Sequence, residues 1–279
     1  MIALVALHAG AHELPGDAPG WTLSPEVVVP LLLTALLYAF GYRRLSGRSG
    51  QGREQHRRQA LRFALGWLVL AGALVSPLHE GGERSFTLHM IEHELIMAPA
   101  AWLIAVSRPL GVMLWALPTG LRQTLGGGAR WWSALAEPVA ATGLQALALI
   151  VWHAPPLFDR ALGHEGWHIA QHLSFLISAL LFWYAMSRAA EGAALVGATC
   201  LFVTSLIGGG LGALMAFSTS PWYAGYAALG LMPMGLSPAE DQQLAGLIMW
   251  IPGGMVHAGA ALLLLARALR PREAADAVG

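Results

Sequence analysis

Long apolar runs alternate with short polar connections along the whole chain. Seven runs approach or exceed the roughly 20 residues that a helix needs to cross a bilayer: 25–42, 60–77, 86–106, 138–152, 168–186, 193–217 and 243–269. Lipid offers no partner to a backbone N–H or C=O, so each run is predicted as a helix that satisfies its own backbone. The expected fold class is all-α: a polytopic integral membrane bundle of about seven transmembrane helices, N-terminus outside. Residues 1–23 read as an external arm or the remnant of a signal peptide, 24–270 as the bundle and 271–279 as a cytoplasmic tail. The fourth run is short, and Leu135 and Ala136 are expected to extend it. The third is the least apolar, because it opens on "LHMIEHEL", four titratable residues within six.

Charge supplies the orientation. The first connection, "RRLSGRSGQGREQHRR", carries six arginines, and arginine-rich loops stay in the cytoplasm. Alternation then puts Arg108, Arg122 and Arg130, Arg188, and Arg267, Arg270 and Arg272 on the same side. The opposite side receives "LHEGGERS", "HAPPLFDRALGHEG" and "STSPWYAGYAALGLMPMGLSPAED". Residues 109–132 mix apolar side chains with arginine and suit the inner interface. The chain is 56% hydrophobic and 11% charged, with no net charge. No basic stripe, P-loop or GxGxxG is present, so nucleic acid and nucleotides are not expected partners. The single cysteine, Cys200, excludes an internal disulfide and any CxxC site.

Histidines gather at one face. The third and fifth runs both begin outside, and each opens with a His–x3–His pair: His89 with His93, and His168 with His172. Residues four apart share a helix face, about 6 Å apart along the axis. The fourth run ends outside at His153, and the seventh starts there behind Glu240 and Asp241. Imidazole and carboxylate are metal-ligand chemistry, and paired ligands on facing helices can converge on one ion. Met90, Met97 and Met215 lie in or near this half, and Met232 and Met234 in the last external loop; thioether sulfur suits copper(I). The same histidines could instead hold haem axially or line an ion path.

Other features read more simply. His257 lies about 24 Å below Asp241 and suits a hydrogen bond between helices. Gly208–Gly212 is a close-packing surface, Cys200 a small apolar residue, and His8 and His12 solvated groups on the arm. "HEGWH", 164–168, matches the H-E-x-x-H zinc signature, but Gly163 and Gly166 oppose a helix beginning that early and leave His164 in a loop.

Several segments together resemble the seven-span CtaG family of cytochrome c oxidase assembly proteins: "HMIEHEL" with "MAPAAWLIAVSRPLG", "VWHAPPLFDRAL", "EGWHIAQHLSFLISALLFW" and "GLSPAEDQQLAGLIMWIPGG". Glu92 and Glu94 depart from the neutral neighbours that many members carry there. The resemblance implies a non-enzymatic factor of the bacterial plasma (inner) membrane that matures a haem–copper oxidase, with that oxidase's catalytic subunit and a periplasmic copper donor as partners. Copper, as copper(I), is then the expected ion, with haem or zinc as alternatives. The expected ligands are His89, His93, His168 and His172, with His153 and Asp241 as further ligands or as groups that orient an imidazole.

Overall fold

The computed structural model describes residues 19–47, 52–126, 134–231 and 235–269, all of it helix and connecting turns. His8, His12, Met232, Met234, Trp131 and Trp132 fall outside the described residues, as do most of the arm and the whole tail. Chain order runs α1 Pro25–Ser46, α2 Arg53–Val75, α3 Pro77–Arg84 and α4 Phe86–Leu95. A π turn, Ile96–Ala100, joins α4 to α5, Ala101–Val106. Then come α6 Pro109–Leu114, α7 Thr119–Gly126, α8 Pro138–His153, α9 Pro155–Gly163, α10 Glu165–Gly192 and α11 Ala194–Ala216. The chain continues through α12 Ala224–Leu229 and α13 Pro238–Ile248, and a second π turn, Met249–Gly253, leads into α14, Gly254–Ala268.

Among the described residues, five helical stretches are long and apolar enough to cross a membrane: Pro25–Ser46, Arg53–Val75, Glu165–Ala190, Ala194–Ala216 and Pro238–Ala268. A sixth appears if α8 and α9, bent by 74° at Ala154, count as one. The segment from Phe86 to Val106 is unbroken helix but is not among them. His89, Glu92, His93 and Glu94 dilute its hydropathy, and most of α4 is buried inside the bundle.

Outside and inside are reversed relative to a water-soluble protein. Leu32, Leu33, Leu36 and Phe40 on α1, and Phe202, Leu206 and Leu214 on α11, point outward and are exposed. Polar residues of the spans, including His89, Glu92, His93, Gln145, Gln171 and Asp241, are buried. A chain in lipid arranges itself this way because apolar side chains lose nothing by facing hydrocarbon. Where helices must touch closely, glycine allows it. A Cβ added to Gly212 would sit 2.6 Å from the carbonyl of Gly246, so α11 and α13 cross backbone to backbone. The expected packing role of the glycine run therefore has a partner, Gly246.

Both π turns contain proline, Pro99 and Pro252. Proline lacks the N–H that the α ladder needs and its ring crowds the preceding turn, and a π turn absorbs the mismatch. The Trp183 indole donates to the Met97 carbonyl at 2.8 Å, which ties the first π turn to α10.

Two expectations change. Leu135 and Ala136 do not extend the fourth span, because Glu137 caps α8 by accepting from the backbone N–H of Val139 and Ala140 at 3.0 and 2.9 Å. The external connections are not plain loops: "LHEGGER", "PPLFDRALG" and "AGYAAL" fold as α3, α9 and α12. They lie together at one end of the spans. Ser76 caps α3, and the Asp159 carboxylate of α9 accepts from Ala224 and Gly225 at the start of α12.

Reporters fused after Gly47 and after Gly163 should read opposite sides of the membrane, cytoplasm first, because three crossings separate them if Phe86–Val106 spans. The same side for both would show that this segment enters and leaves by one face.

Candidate metal centre

The start of α4 is held from the far end of the chain. Asp241, in the first turn of α13, accepts from the backbone N–H of Phe86 at 2.6 Å and Thr87 at 3.3 Å, and from the Ser85 hydroxyl at 2.9 Å. The Thr87 hydroxyl returns a bond to the Asp241 carbonyl at 3.0 Å. A carboxylate at the positive end of a helix is favoured, and more so when buried; Asp241 is 1% exposed. These donors occupy the carboxylate, and Asp241 is absent from the groups whose atoms converge on one point. Beyond the expected ligand or orienting role, Asp241 has a place the sequence did not predict: it ties α13 to the first turn of the helix that carries His89 and His93. Its neighbour Glu240 closes a capping box with Ser237 and lies exposed, as a first-turn acid should.

With α4 so placed, His89 and His93 meet His168 and His172 of α10. Ring centroids are 4.3 Å apart for His89–His93, 4.4 Å for His168–His172, 5.0 Å for His93–His172 and 5.5 Å for His89–His168. One nitrogen each of His89, His168 and His172 lies within 4.8 Å of the others. A second triad, His79, Glu92 and His172, meets the same limit and shares His172 with the first. His153 is buried beside them, its ring touching Phe158 and Phe175, which in turn pack on His89 and His93. His164 and Glu165 are exposed outside the cluster, with His164 extended ahead of α10, so the H-E-x-x-H residues do not assemble.

Hydrogen-bond partners decide which nitrogen each ring keeps free. The Tyr226 hydroxyl gives its one proton to the Gly82 carbonyl at 2.5 Å, so at 3.2 Å the His89 Nδ1 must be the donor to Tyr226. Burial, reinforced by Asp241 and Glu92, holds the Tyr226 phenol well above its ordinary pKa, so it stays a neutral donor. His153 Nδ1 donates to the Leu149 carbonyl at 2.7 Å, and His79 Nδ1 to Glu92 Oε1 at 2.7 Å. In His89 and His153 Nε2 therefore keeps the lone pair. Burial alone would lower the His79 pKa, but the bond and charge of Glu92, with Glu83 and Glu80, raise it overall.

The free lone pairs then stand out. His89 Nε2, His153 Nε2, His168 Nε2, His172 Nε2, both nitrogens of His93 and Glu92 Oε2 are buried with no hydrogen-bond partner. Each such group costs on the order of 1–3 kcal/mol. A native protein concentrates so many only where something else satisfies them. Each neutral imidazole has one lone pair on one of its two nitrogens, and nitrogens of five imidazoles with a carboxylate oxygen are a donor set that suits a cation.

Sequence spacing revealed the two pairs but not His79 or Glu92. Glu92 had a signal: three residues after His89 it lies about 60° from it around the helix, whereas Glu94 lies about 140° away. His79 had none, since α3 reaches the cluster only by folding over the bundle.

The model of the cytochrome c oxidase caa3 assembly factor family (Caa3_CtaG) matches residues 36–271. The chain belongs to that family. No curated protein and no solved structure matches it. It is therefore a multi-pass membrane protein that assists the assembly of cytochrome c oxidase, and the family fits a bacterial membrane.

Asp241→Asn keeps the shape but removes the charge from three hydrogen bonds, and should destabilise the protein in detergent by about 1–3 kcal/mol. Glu240→Gln should leave the melting temperature within error. Equal melting temperatures for Asp241→Asn and the parent would remove the cap from its proposed role.

Proposed function

We propose that this assembly factor binds copper(I) in the histidine cluster at its outer face and passes it to the catalytic subunit of the oxidase. The single observation that carries the reading is the set of buried, unpartnered imidazole nitrogens around His89, His168 and His172. Neutral imidazole is a good copper ligand, and three rings on two helices form a preorganised shell. His93 stands beside them, and His79 with Glu92 offers a second group of donors that shares His172. Such overlap suits a carrier, because an ion can change ligands without ever being fully released. The cluster also contains a single carboxylate, Glu92, which favours an ion of low charge where hydrocarbon surrounds the site. His153 borders the shell behind Phe158 and Phe175.

Haem fits less well. Phe158 lies 5.3 Å from His89 and Phe175 4.8 Å from His93, centroid to centroid. These rings fill the space that a porphyrin plane between the histidines would need.

Protein purified without a polyhistidine tag should bind copper(I) under anaerobic chelator competition and show no Soret band. His89→Ala should weaken binding at least about tenfold, and adding His172→Ala should cost little more, since ligands of one ion are not additive. Oxidase matured beside either variant should be copper-poor. Two independent, additive losses would mean separate sites. Ligation by imidazole requires the neutral ring, so protons should compete with the ion and affinity should fall as the medium is made acidic; affinity untouched even in strong acid would point to sulfur ligands instead.

A further inference from the structure

A second group of cation ligands lies deeper, between the two π turns. A cavity of about 20 Å³ is bordered by Glu94, Met97, Gln145, Met249, Gly253 and His257, room for one water or one bare ion. Its lining is rich in acceptors and poor in donors. No hydrogen bond or ion pair among the described residues reaches the Glu94 carboxylate, which lies against the backbone of Gly253. Gln145 is 4% exposed; its amide nitrogen reaches the Met97 sulfur at 3.6 Å, and its oxygen is buried without a partner. His257 Nδ1 donates to the Gly253 carbonyl at 2.8 Å, within its own helix rather than between helices, which leaves Nε2 with the lone pair. The nearby hydroxyls are engaged elsewhere, Thr204 on the Cys200 carbonyl and Ser205 on that of Gly254.

A carboxylate, an amide oxygen and an imidazole nitrogen without partners, beside two thioethers of which only Met97 accepts a weak bond from Gln145, make a cavity that asks for a cation. One carboxylate neutralises one charge, and a divalent ion would leave a net charge in the membrane interior, where it is costly. Two sulfurs favour a soft ion. We propose that Glu94, Met97, Gln145, Met249 and His257 form a second, inner site for a monovalent soft cation. The identity of that ion as copper(I) rests on the reading of the outer cluster. His89, His93 and Met97 recur every four residues along one face of the helix, in steps of about 6 Å. Gln145, Leu149 and His153 do the same on α8. The inner site is therefore in line with the outer one.

The test is titration of the full-length, untagged chain with copper(I), and separately with silver(I), read by ion stoichiometry and X-ray absorption. The wild type should take two ions per chain, one shell containing sulfur. Met97→Leu with Met249→Leu, near-isosteric changes, should lose one ion and the sulfur signal and keep the nitrogen-bound ion. Glu94→Gln should lose the same ion by removing charge alone. His89→Ala with His172→Ala should keep the sulfur-bound ion. A nitrogen-only shell that the leucine variants do not alter overturns the inner site and leaves the outer reading standing. A sulfur-bound ion alone, untouched by the alanine variants, upholds the inner site and overturns the outer reading. No bound ion in the wild type overturns both.

Discussion

The bond network between Asp241 and the first turn of α4 joins residues 155 apart in sequence, and the geometry of the histidine cluster depends on it. A helix turns about 100° per residue. A small rotation or slide of α4 would take His89 and His93 away from His168 and His172. Packing alone holds such rotation weakly in a membrane, because hydrocarbon side chains gain little by meeting one another rather than lipid. A buried carboxylate with three donors is directional, and so it fixes what packing leaves loose.

The outer surface depends on the same anchoring. Helices α3, α9 and α12 cover the ends of the spans and bring His79, Phe158 and Tyr226 down onto the imidazoles. Tyr226 links the layers: its hydroxyl holds the Gly82 carbonyl of α3 and orients His89. Second partners of this kind set the tautomer, and the tautomer decides which nitrogen faces an ion. The cluster is thus built mainly from the two segments that carry the paired histidines, with short helices that add His79 and orient and cover the rings.

Proline and glycine shape the level below. The π turns at Pro99 and Pro252 break the regular ladder on two different spans, which meet where Glu94 lies against Gly253, and the backbone contact of Gly212 with Gly246 draws α11 onto the second of them. Irregular backbone inside a membrane persists only where protein covers it. Here it borders the cavity that holds Glu94 and Gln145.

Much of this was legible in the chain itself. Apolar runs of bilayer length specify helices because lipid leaves the backbone no alternative. The paired spacing of His89 with His93 and His168 with His172 specifies shared faces because the α-helical period is local. Ser237, Pro238 and Glu240 announce the start of α13 for the same reason. What was not legible depends on contacts between distant segments. Glu137 ends the fourth span early by capping it, although the residues before it are apolar. Asp241 was read as a ligand because its sequence shows an acid at the right depth; only the folded chain shows that Phe86, Thr87 and Ser85 already occupy its oxygens. His79 enters the site through the path of a short helix that no periodicity encodes. The sequence by itself determined which faces carry histidine pairs, since that follows from helical pitch. The tertiary structure decided which of those histidines meet and which atoms stay without partners, since that depends on helix rotation and on hydrogen-bond partners from elsewhere in the chain.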